Sequence, residues 1–425
     1  MDLHPRNQSE TTSQDSGLRL PRNVWAVTVT SFLTDVSSEM VFNILPLYLT
    51  NVLGVRMGVV GLIEGLAASA ASLLKVVSGW LSDRLGSRKW LAVAGYGLST
   101  VAKPFLCVAT TWGAVLGARF ADRVGKGIRT APRDALVADS VNEQQRGIAF
   151  GLHRAGDTAG AVLGVLVALL VVRSTQAEHV VLTRIAFRRV VLLSVIPAAL
   201  AVLALALGAR DVSVRSGQGA PGFRWRELDG RFRRFLVVVS FFTLGNSSDA
   251  FIILRAQERG LSVSGVLMML VTFNLVYAVV SGPAGALSDR VGRRALIIGG
   301  WLTYALIYLG LAVARSAWQV WALFALYGAY YGAAEGTAKA LVADLVPSAR
   351  RGVAYGLHST LEGLAAFPAS LMAGVLWQGI GPWRGFGPGA PFLFGAGLAL
   401  IAVVLLVAWL PAGHEPPLPA RTPGA

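Results

Sequence analysis

The segment GWLSDRLGSRK at Gly79–Lys89 recurs as GALSDRVGRRA at Gly285–Ala295, and each copy follows a long apolar run. A second pair of segments repeats at almost the same offset, LVADSVNEQQRGIAFGLHRAGD at Leu136–Asp157 and LVADLVPSARRGVAYGLHSTLE at Leu341–Glu362. Parallel repeats in one chain predict two similar half-bundles related by an axis along the membrane normal. We therefore expect a duplicated, all-α integral membrane protein.

The composition is typical of a membrane protein. Hydrophobic residues make up 54% of the 425 residues and charged residues 14%, against about 25% charged in soluble domains. The net charge of +15 would also suit nucleic-acid binding, but much of the basic excess lies beside apolar runs, where it marks the cytoplasmic side of a membrane. We expect the lipid bilayer, and not nucleic acid, as the partner. The single cysteine, Cys107, excludes an intramolecular disulfide and disfavours a cysteine-ligated metal site.

Apolar runs of about 20 residues predict membrane-spanning helices. Twelve are predicted, at Trp25–Leu49, Gly58–Leu81, Leu91–Ala109, Trp112–Ala138, Gly147–Val172, Val190–Gly208, Phe235–Ile253, Val263–Leu287, Ala295–Val313, Ala317–Val342, Val353–Trp377 and Pro391–Leu410. They form bundles at 23–208 and 235–410, joined by a basic cytoplasmic linker at 209–234, with a disordered tail at 1–22 and a second tail at 411–425. The Lys and Arg residues near the span ends predict that both termini are cytoplasmic and that the protein lies in the cytoplasmic membrane.

Six plus six helices, with this motif after the second and the eighth, resemble the major facilitator superfamily of secondary transporters. The segments TDVSSEMV at Thr34–Val41 and DRVGKGIRTAPRDALVADS at Asp122–Ser140 resemble an uncharacterised prokaryotic branch of it. The resemblance implies that the motif tightens a turn and pairs with the acidic end of a later helix, which forms a gate. In the first half Arg84 or Arg88 would bond the acids. The implied gate residues are Gly79, Asp83, Arg84, Gly86, Arg88 and Asp139, with Asp289, Arg290, Arg294 and Asp344 in the second half.

The fourth predicted span carries an unusual charged stripe. Its charged residues follow steps of three and four and therefore share one helix face. Each unpaired charge in hydrocarbon costs at least about 2.5 kcal/mol, so this face must turn into the bundle or a watered cavity. Two interpretations remain open. One is an internal salt-bridge lattice, and the other is a site where one or two bases without a permanent partner, foremost Arg119, Arg123 or Lys126, meet an anionic or zwitterionic substrate. The stripe and the residues beside it include Arg119, Asp122, Arg123, Lys126 and Arg129.

Acidic residues on other spans complete the candidate site. Asp35 and Glu39 lie one turn apart, and either would gain and lose the coupling proton. The tripeptide SSE that ends at Glu39 matches SSD that ends at Asp249 in the second half. Glu64 is a further candidate. Asn274, Tyr327 and Tyr331 could form a hydrogen-bonding and aromatic wall of the site, and packing alone is the alternative role for them.

We expect a monomeric secondary transporter of a small solute that works by alternating access and proton coupling. An uncoupled facilitator or an anion exchanger is the alternative within transport. A non-transporting sensor or scaffold is the alternative from another class, but the short tails and linker offer no soluble partner domain. No nucleophile, metal cluster or nucleotide loop stands out, so we expect no enzyme activity, no cofactor and no bound metal.

Overall fold

The described part of the protein is almost entirely helical. The structure, a computed structural model, describes residues 20–176, 179–212, 229–347 and 351–410, without the side chains of 143, 144, 285–290, 335, 336, 339 and 351–353. These ranges contain a π-helical turn at Tyr48–Val52 and the α-helices α1 (Arg22–Phe42), α2 (Leu45–Leu47), α3 (Met57–Leu85), α4 (Lys89–Val108), α5 (Trp112–Asp139), α6 (Glu143–Thr175), α7 (Arg184–Gly208), α8 (Gly230–Gly245), α9 (Ala250–Glu258), α10 (Val263–Val291), α11 (Arg293–Val313), α12 (Ala317–Leu345), α13 (Arg351–Gln378) and α14 (Ala390–Trp409).

Nine segments among the described residues are long and apolar enough to cross a membrane. The three predicted spans outside this set correspond to α1, α5 and α12. Six Ser and Thr side chains lower the hydropathy of α1, and Arg and Lys lower that of α5. Helices α1 and α5 line the central cavity described below, so their polarity matches an interior position. The all-helical membrane fold is confirmed, whereas the count of twelve spans stays a prediction.

The helices form two halves, α1–α7 and α8–α14, and we name the two ends of the bundle by their contacts. The linker end holds the start of α1 and the end of α7, where the Arg22 guanidinium donates to the Leu207 carbonyl at 3.0 Å. In the second half Arg234 makes the matching contact with the Trp409 carbonyl, also at 3.0 Å. The opposite end is called the distal end. Residues 1–19, 213–228 and 411–425, which hold most of the predicted tails and linker, lie outside the described residues.

The first predicted span, Trp25–Leu49, is interrupted. Helix α1 ends at Phe42, and the chain continues through α2 and the π-helical turn. Pro46 lies just after the interruption. Because proline lacks a backbone N–H and restricts the residue before it, a regular helix is difficult to continue through this point.

The seventh predicted span, Phe235–Ile253, is also interrupted, between Gly245 and Ala250. The Gly245 carbonyl, which ends α8, accepts a hydrogen bond from the Tyr304 hydroxyl at 3.1 Å. Non-helical backbone at membrane depth is tolerated where such partners replace the helical ones and where the segment lines a cavity. The interruption lies on the cavity wall.

The halves meet most closely where α3 packs on α13. A Cβ atom at Gly61 would lie 2.1 Å from the Ser370 carbonyl oxygen, and one at Gly374 would lie 2.2 Å from the Met57 carbonyl oxygen. Only glycine permits backbones this close. At the distal end of this helix pair, the backbone N–H of Met57 donates to the Gln378 side chain at 2.8 Å. The two halves are therefore in tight contact at the distal end.

Candidate functional site

A cavity of about 470 Å³ lies between the two halves. Both halves contribute polar side chains to its wall. Those of the first half are Asp35, Ser38, Glu39, Asn43, Glu64, Arg119, Arg123, Lys126 and Arg129, and those of the second half are Asn246, Ser247, Ser248, Asp249, Tyr327, Tyr331 and Ser370. Of the twelve residues predicted to contact substrate or coupling ion, Asp122 and Asn274 are not part of this wall.

Glycines explain how α5 turns its charged face towards the cavity. A Cβ atom at Gly125 would lie 2.5 Å from the Gly95 carbonyl oxygen of α4, and one at Gly127 would lie 2.6 Å from the Leu74 side chain of α3. Helix α5 is thus pressed against α3 and α4 on its small-residue face. The charged face is left for the interior, as the periodicity predicts.

Arg119 and Glu64 form a buried ion pair on the cavity wall. The guanidinium lies 2.9 Å from the carboxylate, and both residues are less than a tenth exposed. The guanidinium also stacks on the Phe42 ring, 3.9 Å from its centroid. Within the described residues, Nε and Nη1 of Arg119 and Oε1 of Glu64 are buried without a hydrogen-bond partner. Nη1 lies 4.0 Å from the Asp122 carboxylate, so Nε of Arg119 and Oε1 of Glu64 are the atoms of this pair that are left without a partner among the described residues.

Two further arginines of α5 have partners inside the protein. Arg123 pairs at 3.0 Å with Asp122, which is 2% exposed and lies behind the cavity wall. Arg129 donates to the Ser99 hydroxyl at 2.7 Å and stacks over the Tyr96 ring at 4.5 Å. The Arg123 contact fits the salt-bridge-lattice interpretation, whereas Arg129 is held by a neutral hydroxyl and an aromatic ring.

Lys126 differs from these arginines. It lines the cavity, is exposed, and its ammonium forms no hydrogen bond or ion pair with any described residue. Asp35 also lines the cavity and likewise has no such partner within the described residues. At a rise of about 1.5 Å per residue, both lie roughly 20 Å from the linker end. A base and an acid whose charged groups form no ion pair with a described residue therefore share one level of the cavity.

Glu39 lies one turn nearer the distal end than Asp35. Its carboxylate accepts a hydrogen bond from the Asn43 amide at 2.8 Å but forms no ion pair with a described residue. On the other side of α1, Ser37 and Ser38 accept hydrogen bonds from the buried ammonium of Lys103, at 2.5 and 3.3 Å. A second cation therefore supports α1 next to the two acids.

In the second half, Asp249 lies exposed to the cavity at the start of α9. One of its oxygens accepts a hydrogen bond from Tyr327 at 3.2 Å. The rings of Tyr327 and Tyr331 lie 6.1 Å apart, centroid to centroid, and both pack on Phe273. Asn274 instead donates to the Leu270 carbonyl one turn earlier, at 2.9 Å. The predicted wall therefore includes both tyrosines but not Asn274, whose amide is used within its own helix.

The first-half gate residues meet at the linker end. Arg88 bonds Asp83 at 2.8 Å and Asp139 at 2.7 Å, whereas Arg84 stacks over Trp80 at 5.3 Å. Of the two arginines that the resemblance left open, Arg88 is the one that joins both acids. Gly86 ends α3 with φ of 66°, a conformation that favours glycine. Gly79 lies one turn before Asp83 in α3. A Cβ atom at Gly79 would lie 3.4 Å from the Ala131 side chain of α5.

The second-half gate differs from its prediction. Arg293, not Arg294, pairs with Asp344 at 2.6 Å, and Arg294 donates to the Val407 carbonyl at 3.2 Å. Helix α11 begins directly after Gly292, whereas three residues separate α3 from α4. The shorter turn changes which arginine faces the acid. The side chains of Asp289 and Arg290 lie outside the described residues.

Asp211 is a gate neighbour that the sequence prediction missed. Its carboxylate accepts hydrogen bonds from the Ser87 hydroxyl at 2.6 Å and from the backbone N–H groups of Arg88 and Lys89 at 3.0 and 3.1 Å. Burial raises the pKa of Asp211, but these hydrogen bonds outweigh burial and lower it below its ordinary value. Asp211 thus caps the start of α4 from the segment after α7. An isolated acid between Arg210 and Val212 gives no sequence signal for this role.

The sequence profile of the Major Facilitator Superfamily matches residues 27–253 and 234–424. The chain belongs to this superfamily. A relative from Methanocaldococcus jannaschii, described as an uncharacterised MFS-type transporter, is 35% identical over 402 residues, which cover 93% of this chain and 96% of the relative. The predicted membership is confirmed, and with it the general role in membrane transport.

Solved transporter structures share the fold. The nucleoside transporter NupG superimposes with a TM-score of 0.70 at 14% identity, covering 92% of this chain and 100% of that one. A bacterial homologue of the human lysosomal transporter Spinster, in an inward-facing and occupied conformation, gives a TM-score of 0.69 at 16% identity, covering 91% of this chain and 94% of that one. At these identities the likeness extends to the fold alone.

Proposed function

We propose that this superfamily member carries a small anionic or zwitterionic solute through the central cavity by alternating access, coupled to protons. The observation that carries the proposal is Lys126, a cavity-facing ammonium without a partner among the described residues. An unpaired charge at membrane depth is costly, and its usual explanation is a functional partner. A solute anion would supply that partner when it binds.

We further propose that the linker end is cytoplasmic and that the cavity opens towards it. Basic residues at this end, which include Arg22, Arg88 and Arg234, support the orientation through the positive-inside rule. The tight contacts of α3 with α13 at the distal end support an inward-facing state. The opposite state would require these helices to separate at the distal end and to approach at the linker end.

Proton coupling is assigned to Asp35 and Glu39. Neither carboxylate forms an ion pair with a described residue, so each could exchange a proton without breaking a salt bridge. Asp35 lies at the level of Lys126, where a change in its charge would alter how strongly the cavity attracts an anion. Binding of a proton and binding of an anion would therefore support each other.

Uptake into proteoliposomes tests the solute site. After a thermal-shift screen of organic anions and amino acids, uptake of a labelled hit is compared for wild type, Lys126→Met, Lys126→Arg and Lys75→Met. We expect Lys126→Met to reduce uptake about tenfold or more, because a charged hydrogen bond is worth about 1.5–3 kcal/mol. Lys126→Arg should retain part of it. Lys75 is the matched control, since this α3 lysine does not line the cavity. Equal uptake by the Met variants at both positions would contradict the assignment.

The proton assignment needs a separate measurement. We expect Glu39→Gln or Asp35→Asn to abolish accumulation driven by a pH gradient while solute exchange at equal pH persists. Gradient-driven accumulation that survives in both variants would exclude these acids as the coupling groups. Wild-type uptake that does not respond to the gradient would favour an uncoupled facilitator or an anion exchanger.

A further inference from the structure

On the second-half cavity wall, the carboxylate of Asp249 forms no ion pair with a described residue. Asp249 is exposed to the cavity, and its carboxylate accepts a hydrogen bond from the neutral hydroxyl of Tyr327 at 3.2 Å. No Lys, Arg or His of the described residues forms an ion pair with it. A carboxylate at membrane depth calls for a partner, and here the cavity is the place from which a partner can come.

Two aromatic residues share the second-half cavity wall with this acid, and one of them, Tyr327, donates a hydrogen bond to its carboxylate. Tyr327 and Tyr331 line the cavity, and both rings are held by packing on Phe273, at centroid distances of 5.8 and 6.1 Å. A carboxylate beside fixed aromatic faces is the chemistry that recognises organic cations, because the ring faces attract positive charge. We call Asp249, Tyr327 and Tyr331 the ammonium subsite.

The first half offers the opposite chemistry. The Lys126 ammonium forms no hydrogen bond or ion pair with a described residue, and Nε of Arg119 is buried there without a hydrogen-bond acceptor. Arg119 is 7% exposed and lines the same cavity. These donors suit a carboxylate or a phosphate. Every base of the described cavity wall thus lies on the first half, beside three acids, whereas the described wall of the second half carries the acid Asp249 and no base.

We propose that the transported solute is a zwitterion whose cationic nitrogen binds the ammonium subsite and whose anionic group binds Arg119 and Lys126. The inference rests on the proposed function and narrows its solute class. Charge balance supports it, since the described cavity wall contains four acids and four bases. A neutral zwitterion would satisfy an unpaired acid and an unpaired base together, whereas a plain anion would leave Asp249 without a cation.

Such a solute would also bridge the two halves. Its anionic end would be held by α5 and its cationic end by α9 and α12, which belong to opposite halves. Alternating access requires differential contacts between solute and protein in the two states. A bridging zwitterion would provide these contacts as the halves move, and a solute held by one half alone would not.

Binding to the purified full-length chain in nanodiscs tests the inference. The probes are glycine, γ-aminobutyrate and ε-aminocaproate, each compared with the acid that lacks the amine and the amine that lacks the acid. We expect at least one zwitterion to bind about tenfold more tightly than both of its analogues, because each charged end adds a charge-assisted contact. Binding of no zwitterion, or equal binding of zwitterion and acid, would overturn the inference.

Variants of the ammonium subsite test where the cationic end of the solute binds. Asp249→Asn should reduce the affinity for that zwitterion to the level of its acid analogue while leaving acid binding unchanged, which also reports a folded cavity. Tyr331→Leu should weaken zwitterion binding more than acid binding. Tyr355→Leu is the matched control, since this exposed tyrosine of α13 lies outside the cavity wall. Full zwitterion affinity in Asp249→Asn would overturn the ammonium subsite and would instead favour Asp249 as a proton site.

The outcome separates this inference from the proposed function. If the acids bind as well as the zwitterions and are taken up by proteoliposomes, the ammonium subsite is wrong and anion transport stands. If neither class binds and no labelled solute from the wider screen is taken up, both proposals fail.

Discussion

Replacing Gly61 with alanine tests how tightly the two halves close at the distal end. The added Cβ atom would lie 2.1 Å from the Ser370 carbonyl oxygen, 2.8 Å from its carbon and 3.2 Å from the Leu371 Cα. All three are backbone atoms of α13, so no side chain can rotate away. The two helices would have to separate by roughly 1 Å to restore ordinary van der Waals contact.

The magnitude follows from the cost of overpacking. Extra methyl groups in a well-packed interface typically cost about 1–3 kcal/mol, and this cost applies only while the distal end is closed. The ratio of distal-closed to distal-open molecules should therefore fall by roughly 5–150-fold. The higher helix propensity of alanine, worth about 1 kcal/mol, applies in both states and largely cancels.

Pulsed electron–electron double resonance measures this ratio. Spin labels at the exposed positions Val108 and Val313, which end α4 and α11 at the distal end, in a Cys107→Ser background, would report the distal distance between the two halves. Gly58→Ala is the matched control, because a Cβ atom there meets nothing within 4 Å. We expect Gly61→Ala to populate longer distances and Gly58→Ala to resemble the parent. Identical distance distributions for Gly61→Ala and the parent would refute the close-contact reasoning.

Three further predictions concern the gate and the packing of the second half. Arg88→Ala should impair transport more than Arg84→Ala, because Arg88 alone of the two joins both acids; equal uptake rates would contradict this. The ionised Asp211 carboxylate stabilises the fold at pH values above its ordinary pKa of 3.8, and this stabilisation is lost as the pH falls through the lowered pKa. Asp211→Asn should therefore reduce the free energy of unfolding at neutral pH by about 0.5–1 kcal/mol and weaken the dependence of the melting temperature on acid pH. Arg255, which is 1% exposed, donates to three carbonyls at the end of α11. Arg255→Met should therefore reduce the free energy of unfolding by about 3 kcal/mol, more than Glu258→Gln does. Equal melting temperatures of the two variants would argue against this cap.

The charged face of α5 was predictable because membrane burial leaves few options for charge. Charged residues at steps of three and four share one helix face. Because charge is costly in the lipid hydrocarbon, that face must turn to the protein interior. The same reasoning predicted that Asp35 and Glu39 share one side of α1. Such arguments specify the facing of a residue but not its partners. They could not distinguish Lys126, whose ammonium forms no ion pair with a described residue, from Arg123, which pairs with Asp122.

Contacts between distant segments were beyond the sequence argument. The capping of α4 by Asp211 depends on how the end of α7 folds back, which no local pattern reports. The interruption after Gly245 depends on Tyr304, which lies on another helix. The duplication was also misleading at Arg294, because a shorter turn gives its predicted role to Arg293. Close repeats of sequence therefore did not guarantee repeated contacts.

Alternating access requires the two halves to close in turn at the two ends of the charged cavity. Double resonance in nanodiscs tests this most directly, with a distal pair of labels at Val108 and Val313 and a linker-end pair at Arg84 and Tyr355. The measurements are made at mildly acidic and mildly alkaline pH, with and without a solute that binds. We expect anticorrelated distances, with the linker-end pair shortening as the distal pair lengthens. Distances that stay constant under every condition, or that lengthen together, would contradict it.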